Sequence, residues 1–302
     1  MNETTPVIEV RNLVRHYRHS EAVRGLNLRV EPGRCYGLFG RNGAGKTTTI
    51  KCLLDLLRPA AGSVRLFGLD PHVEELAVKR RLAFVPDNVA FYPWMSVRQW
   101  FDYLASFREK WNEKLERELT GRFEINLNQK AETLSRGQKM QVALIGALCP
   151  EPELLILDEP TSGLDPMVRR EFIRTVIGTY QEADPGRRTV FVSTHLITEF
   201  EGLIDEFTVM EKGRDIVTMA TDDARRMYRK LRARFAGKVP ALDQVPGWMP
   251  QVEGRELEIC VNGEHDAAIR RLHQLGAEHI EEENLSLEEI FLVTLNQKQA
   301  AK

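Results

Sequence analysis

One stretch, Gly40-Arg41-Asn42-Gly43-Ala44-Gly45-Lys46-Thr47-Thr48, limits the fold more than any other. It fills the phosphate-loop pattern G-x-x-x-x-G-K-[ST], with Gly40, Gly45, Lys46 and Thr47 in the fixed places. Before it, residues 34–39 read as a short buried strand. After it, residues 48–57 carry helix periodicity. Strand, glycine turn and helix are the setting the pattern requires. The glycines let successive N–H groups turn inward toward a phosphate. The helix start adds free N–H groups and the positive end of its dipole. Lys46 is then placed to reach the β- and γ-phosphates of a nucleotide, and the Thr47 hydroxyl to hold Mg²⁺.

At 302 residues the chain has room for about two domains. Its formal charge is −2 with 28% charged residues, an ordinary balance that does not point to nucleic acid as a partner. Cys35, Cys52, Cys149 and Cys260 are scattered without metal-like pairing, the usage of a reducing, cytosolic compartment. The N-terminal residues lack the basic-then-apolar layout of a signal peptide. No apolar run approaches the roughly 18 residues that span a bilayer. If the protein serves a membrane, another chain supplies the membrane part.

In chain order, residues 7–14 alternate as an edge strand would, and residues 22–30 form its antiparallel partner. Tyr17 is either a packed strand-end aromatic or a face on which a base stacks. Residues 62–68 read as a strand and turn, and residues 82–85 as a short strand ending at Pro86-Asp87-Asn88. Residues 88–130 are helical and rich in aromatics. Trp100, Tyr103, Leu104, Phe107 and Trp111 recur at helix spacing, which predicts a stripe facing the core. Phe91-Tyr92-Pro93-Trp94-Met95 is a dense aromatic turn suited to docking a partner. Ser96 with Gln99, and Ser135 with Gln138, have capping-box spacing at two helix starts, the second running to about residue 148.

Leu154-Leu155-Ile156-Leu157 is a buried central strand that ends in Asp158-Glu159. Two acids at the carboxyl end of such a strand stand where doubly wound sheets bind ligands. One can hold Mg²⁺ while the other takes a proton from water. Residues 161–166 turn into a further helix, and residues 189–194 form the next buried strand. His195 ends that strand and so faces the edge that carries Asp158. A hairpin is expected at residues 206–219. Beyond residue 221 the composition shifts. Basic residues between 222 and 234 recur at helix spacing, read as a solvated helix face or, alternatively, a contact for anionic lipid headgroups. A strand at 256–261, a helix at 266–275, a strand at 279–283 and a last helix capped by Ser286 and Glu289 then suggest a small α+β domain.

Together these pieces resemble the ATP-binding subunit of ABC transporters over about residues 7–220. Residues 40–47 resemble the Walker A loop, with Arg41, Asn42, Gly43, Ala44 and Thr48 lining it. Leu134 to Gln138 resemble the signature, and residues 154–158 resemble Walker B. The resemblance implies Glu159 as catalytic base, His195 as switch histidine, Asp165 in the loop after Walker B, and Tyr17 against adenine. It implies a P-loop NTPase α/β core at 1–220 with an antiparallel β subdomain and a helical subdomain at about 88–150. A small accessory domain at 221–302 makes the chain similar to single-cassette exporters of the ABC-2 type.

The implied cofactors are ATP and Mg²⁺. The implied partners are a second cassette, homo- or heteromeric, and a polytopic membrane permease, with the chain peripheral on the cytoplasmic face. Ser135, Gly137 and Gln138 would serve ATP on the opposite cassette. Two positions depart from the pattern. Arg136 replaces the signature's first glycine, and Asp87 stands where the family has a glutamine; as a carboxylate it is expected to ligate Mg²⁺ while repelling the γ-phosphate. The rival readings are a soluble non-transport ABC ATPase and a regulatory ATP-binding module with weak hydrolysis.

Overall fold

The computed structural model describes residues 5–17, 20–176, 180, 184 and 186–300, the side chains of the last two excepted. The chain divides into two compact units, Met1–Ile204 with Met210–Asp215, and Asp205–Val209 with Ile216–Lys302.

The first unit opens with an antiparallel sheet. Strand β1 (Ile8–Tyr17) pairs with β2 (Ser20–Val30). After β3 (Cys35–Phe39) and helix α1 (Lys46–Leu53), β4 (Ala61–Leu66) pairs with the other side of β1. β1 is therefore the centre of the order β2-β1-β4, not the edge its alternation suggested. Alternation reports one buried face, here Ile8, Val10 and Leu13, and carries no information about which strands flank it.

Helix α2 (Glu75–Arg81) leads into β5 (Leu82–Val85). Three helices follow: α3 (Val97–Ala105), α4 (Glu113–Arg122) and α5 (Arg136–Leu148). Then come β6 (Leu154–Asp158), α6 (Pro166–Arg174) and β7 (Thr189–Thr194). Strands β5, β6, β7 and β3 lie side by side and parallel. Every residue of β3, β6 and β7 is buried, so these strands read as continuous runs rather than alternations. Tyr36 and Phe191 stack at 5.8 Å in the core that joins the two sheets of this unit.

The aromatic stripe of α3 does not face the core. Val97 and Phe101 do, at 1% and 0% exposure, whereas Tyr103 and Phe107 are 36% and 69% exposed. The helix stops at Ala105, so the spacing of Phe107 and Trp111 continues no helical face. Trp111 instead packs on Phe101 at 6.2 Å and donates its indole N–H to Glu116 at 2.7 Å. Both expected capping boxes are formed, at Ser96 with Gln99 and at Ser135 with Gln138.

Strands β8 (Glu206–Glu211) and β9 (Arg214–Ala220) form the expected hairpin, with the Thr208 and Thr218 hydroxyls 2.6 Å apart. The second unit continues with α7 (Thr221–Met227), β10 (Tyr228–Phe235), β11 (Trp248–Glu253), β12 (Glu256–Asn262), α8 (His265–Gln274), β13 (Ala277–Asn284) and α9 (Leu287–Ala300). Its sheet is antiparallel in the order β11-β12-β10-β13.

The basic run expected on one helix is split, because α7 ends at Met227 and residues 228–235 are strand. Leu231, Ala233 and Phe235 alternate inward, which turns Lys230, Arg232 and Arg234 to the other face. Two of these three cations are paired rather than free. Lys230 pairs with Glu289 and Glu258, and Arg232 with Glu258 and Glu283; on the opposite face Arg229 pairs with Glu282. An anionic lipid surface would have to compete with these carboxylates.

Candidate nucleotide and hydrolysis site

The phosphate loop runs from the buried end of β3 into α1. Two of its glycines are sterically required. A Cβ on Gly40 would stand 2.5 Å from the Met210 carbonyl oxygen, and one on Gly45 2.4 Å from that of Ala22. Gly45 also holds φ +109, a conformation that L side chains avoid. No side chain caps α1 at Gly45, so none competes for the N–H groups of its first turn. Arg41, Asn42, Gly43 and Thr47 are exposed around the loop, Ala44 is buried, and Thr48 is half-buried.

Lys46 is buried and folds back over the loop. Its Nζ donates to the Gly40 carbonyl at 2.7 Å and stands 2.9 Å from Glu159 Oε1. That second contact is a charge contact only, since Oε1 is buried without an aligned hydrogen bond. The other carboxylate oxygen, Oε2, lies 2.8 Å from His195 Nδ1 and accepts the His195 backbone N–H at 3.2 Å. Glu159 adopts φ +47, and its N–H donates to the Ser193 carbonyl at 2.8 Å. The turn out of β6 thus swings the carboxylate to a point between Lys46 and His195.

Asp158, one residue earlier, points elsewhere. It accepts hydrogen bonds from the Ser193 hydroxyl and from Thr47. Burial pushes its carboxyl above the ordinary aspartate range; the two hydrogen bonds hold it down, and the charge of Glu159 adds to the rise. Thr47 and Asp158 are hard oxygen donors brought into contact at the phosphate loop, the donor chemistry Mg²⁺ prefers when phosphates complete its shell. Among the described residues no group of three His, Cys, Asp or Glu side chains could hold a metal ion.

The structure brings together Lys46, Glu159 and His195, and separately Thr47 and Asp158. It places the remaining expected residues apart from these. Tyr17 is 43% exposed at the end of β1, with the Arg15 guanidinium 5.5 Å from its ring centre. Ser135 and Gln138 bond to each other in the capping box, and Gly137 neighbours Val168 and Leu164. Asp165 caps α6, accepting from the Met167 and Val168 N–H groups. Asp87 is half exposed and paired with Arg136.

Sequence reading missed Ser193, which holds Asp158 by its hydroxyl and Glu159 by its carbonyl. The signal is the parallel register, which sets Asp158 beside Ser193. A polar residue near the carboxyl end of the neighbouring buried strand is the cue.

A family profile described as "ABC transporter" matches residues 23–162. The bacitracin transport ATP-binding protein BcrA of Bacillus licheniformis is 31% identical over 237 residues, covering 74% of this chain and 73% of its own length. This chain belongs to the ABC transporter family. The Nod factor export ATP-binding protein I of Burkholderia orbicola is 35% identical over 220 residues, 69% of each chain. Among solved structures, an ATP-binding subunit of an ABC transporter superposes with a TM-score of 0.65 at 27% identity, over 73% of this chain and 92% of the other. The α/β P-loop core with its antiparallel sheet and helices is therefore the fold of an ABC ATPase cassette.

Proposed function

We propose that this cassette hydrolyses ATP to power a separate membrane permease, an exporter, by the closing and opening of two cassettes around ATP. The observation that carries the reading is the placement of Glu159. Its carboxylate is held between Lys46 and His195 at the mouth of a phosphate loop. ATP entering the loop would draw Lys46 from the Gly40 carbonyl and from Glu159 onto its β- and γ-phosphates. Glu159, released on that side, would orient a water and take its proton, with His195 keeping the carboxylate turned and then meeting the γ-phosphate. Thr47 and Asp158 would hold Mg²⁺, which neutralises charge on the phosphates. Loop N–H groups and Lys46 would stabilise the charge that develops during transfer. Tyr17 would stack on adenine.

Ser135 and Gly137, on the first turn of α5, would grip the γ-phosphate of ATP held by the second cassette. Hydrolysis removes that shared phosphate and lets the pair open. No helix among the described residues is long and apolar enough to cross a membrane, so the permease would be another chain. The relatives named for bacitracin transport and Nod factor export support an export role. Its docking site would be the aromatic surface around Tyr92 and Trp94. The deciding experiment compares Mg²⁺-dependent phosphate release and ATP-driven self-association in the parent and in Glu159→Gln. The variant should bind ATP, accumulate as a closed pair and lose at least about a hundredfold in rate. Hydrolysis at the parent's rate would remove Glu159 as the base.

A further inference from the structure

Asp87 and Arg136 are the two departures from the family pattern, and they stand 49 residues apart in the chain. In the fold they meet. The Arg136 guanidinium donates to Asp87 Oδ1 at 3.2 Å. The same group lies close against the turn after β6. A Cβ on Gly163 would stand 2.6 Å from Arg136 Nη1 and 2.9 Å from its Cζ. Gly163 sits at φ +70, which glycine adopts without strain, so the turn offers a bare backbone seat for the guanidinium. One side chain at the start of α5 therefore touches both the loop after β5 and the turn that follows Asp158.

The first turn of a helix is a poor place for a lone cation, because the helix dipole is already positive there. Arg136 is the first helical residue of α5, flanked by Ser135 and Gly137. Asp87 supplies the missing anion. A carboxylate engaged in this way already has a cation as its partner, whereas Asp158 stands by Thr47 at the phosphate loop.

We propose that Asp87 is the counterion of Arg136 and not a magnesium ligand, and that the pair, seated on Gly163, positions the signature turn carrying Ser135 and Gly137. The proposal rests on the reading that this turn meets ATP on a second cassette. Both side chains are about half exposed, so the pair adds little to global stability. Its effect lies in orientation. The turn must present its donors to a phosphate outside its own chain, and the two contacts fix how the first turn of α5 is aimed. Asp87 and Arg136 thus act as one coupled unit.

The test is a double-mutant cycle in the full-length Glu159→Gln chain, read by MgATP-driven self-association in sedimentation velocity. Asp87→Asn and Arg136→Gln should each weaken association about three- to tenfold, and the double variant no more than either. Arg136→Lys keeps the charge but loses the guanidinium's close contact with Gly163, so it should recover only part of the loss. In parallel, the Mg²⁺ midpoint for binding a fluorescent ATP analogue is measured on each chain at a dilution where it is monomeric. Asp87→Asn should leave that midpoint in place. A tenfold rise in the midpoint on Asp87→Asn, absent in Arg136→Gln, would make Asp87 a metal ligand and overturn the proposal. Strictly additive losses of association would overturn it equally. If the Glu159→Gln parent fails to associate at all, the paired-cassette reading falls, and the Mg²⁺ midpoint still decides whether Asp87 belongs to the metal or to Arg136.

Discussion

At the residue scale, the site places two adjacent carboxylates in different surroundings. Asp158 is only 2% exposed, and burial holds its carboxyl above the usual range. A group whose folded value is raised favours the folded state when protonated, and that contribution is lost as pH rises through the raised value. The nucleotide-free protein is therefore expected to lose stability as Asp158 ionises. Asp158→Asn should melt higher than the parent at neutral pH, and the gap should close as pH falls toward the ordinary aspartate range. Thermal melts across pH 4–8 check this, and a gap of constant size would refute it. The same variant should lose the extra stabilisation that Mg²⁺ gives to bound ATP. The residues of this site were legible where a motif fixed them to a strand end or a glycine turn, as for Lys46, Asp158 and Glu159. Ser193 was hidden because its role depends on strand register. The pairing of Asp87 with Arg136 was hidden because each, read alone, is only a deviation.

At the element scale, helix starts were legible because a capping box is local: Ser96 with Gln99, Ser135 with Gln138, and Ser286 with Glu289 all close as expected. Strand β10 was misread because basic residues between 222 and 234 fit a helical period, while Leu231, Ala233 and Phe235 fit a period of two. Pairing with β12 and β13, both distant in sequence, settles it. This sheet is tied to the last helix through Glu289. One carboxylate oxygen accepts from the Ser286 N–H at 2.8 Å, and the other pairs with Lys230 at 2.5 Å. Burial disfavours the charged carboxylate most strongly, yet Lys230 and Ser286 together hold its pKa below the usual glutamate value. Glu289→Gln should keep the cap and lose the ion pair, whereas Glu289→Ala loses both. Hydrogen exchange of the first-turn amides of α9 should accelerate more in Ala than in Gln, by an amount matching about 1 kcal/mol of lost capping. Equal acceleration would mean that the ion pair alone holds the helix.

At the scale of the whole molecule, the feature that the cassette's own packing does not account for is its aromatic surface. Tyr92, Trp94, Tyr103 and Phe107 are 42%, 66%, 36% and 69% exposed. Their rings are linked: Tyr92 lies tilted 5.2 Å from Trp94 and edge to face 5.8 Å from Tyr103, and Tyr103 lies edge to face 5.0 Å from Phe107. The sequence offered these as two features, a docking turn and a core stripe, because helical spacing identifies a face but not what it packs against. In the fold they form one patch. Contiguous exposed aromatics mark a surface that another molecule covers. On the function proposed above, the occupant would be a segment of the permease. Trp94→Ala and Phe107→Ala remove exposed side chains, so each should change fold stability by less than about 0.5 kcal/mol. Introduced together into the Glu159→Gln chain, they should abolish its recovery with a polytopic membrane protein from detergent-solubilised membranes of the host. ATP-driven self-association, which depends on the phosphate loop and the signature turn, provides the internal control on folding. Undiminished recovery of the membrane protein by the double variant would move the docking site off this patch. Recovery of only soluble partners by the parent would argue against the permease itself.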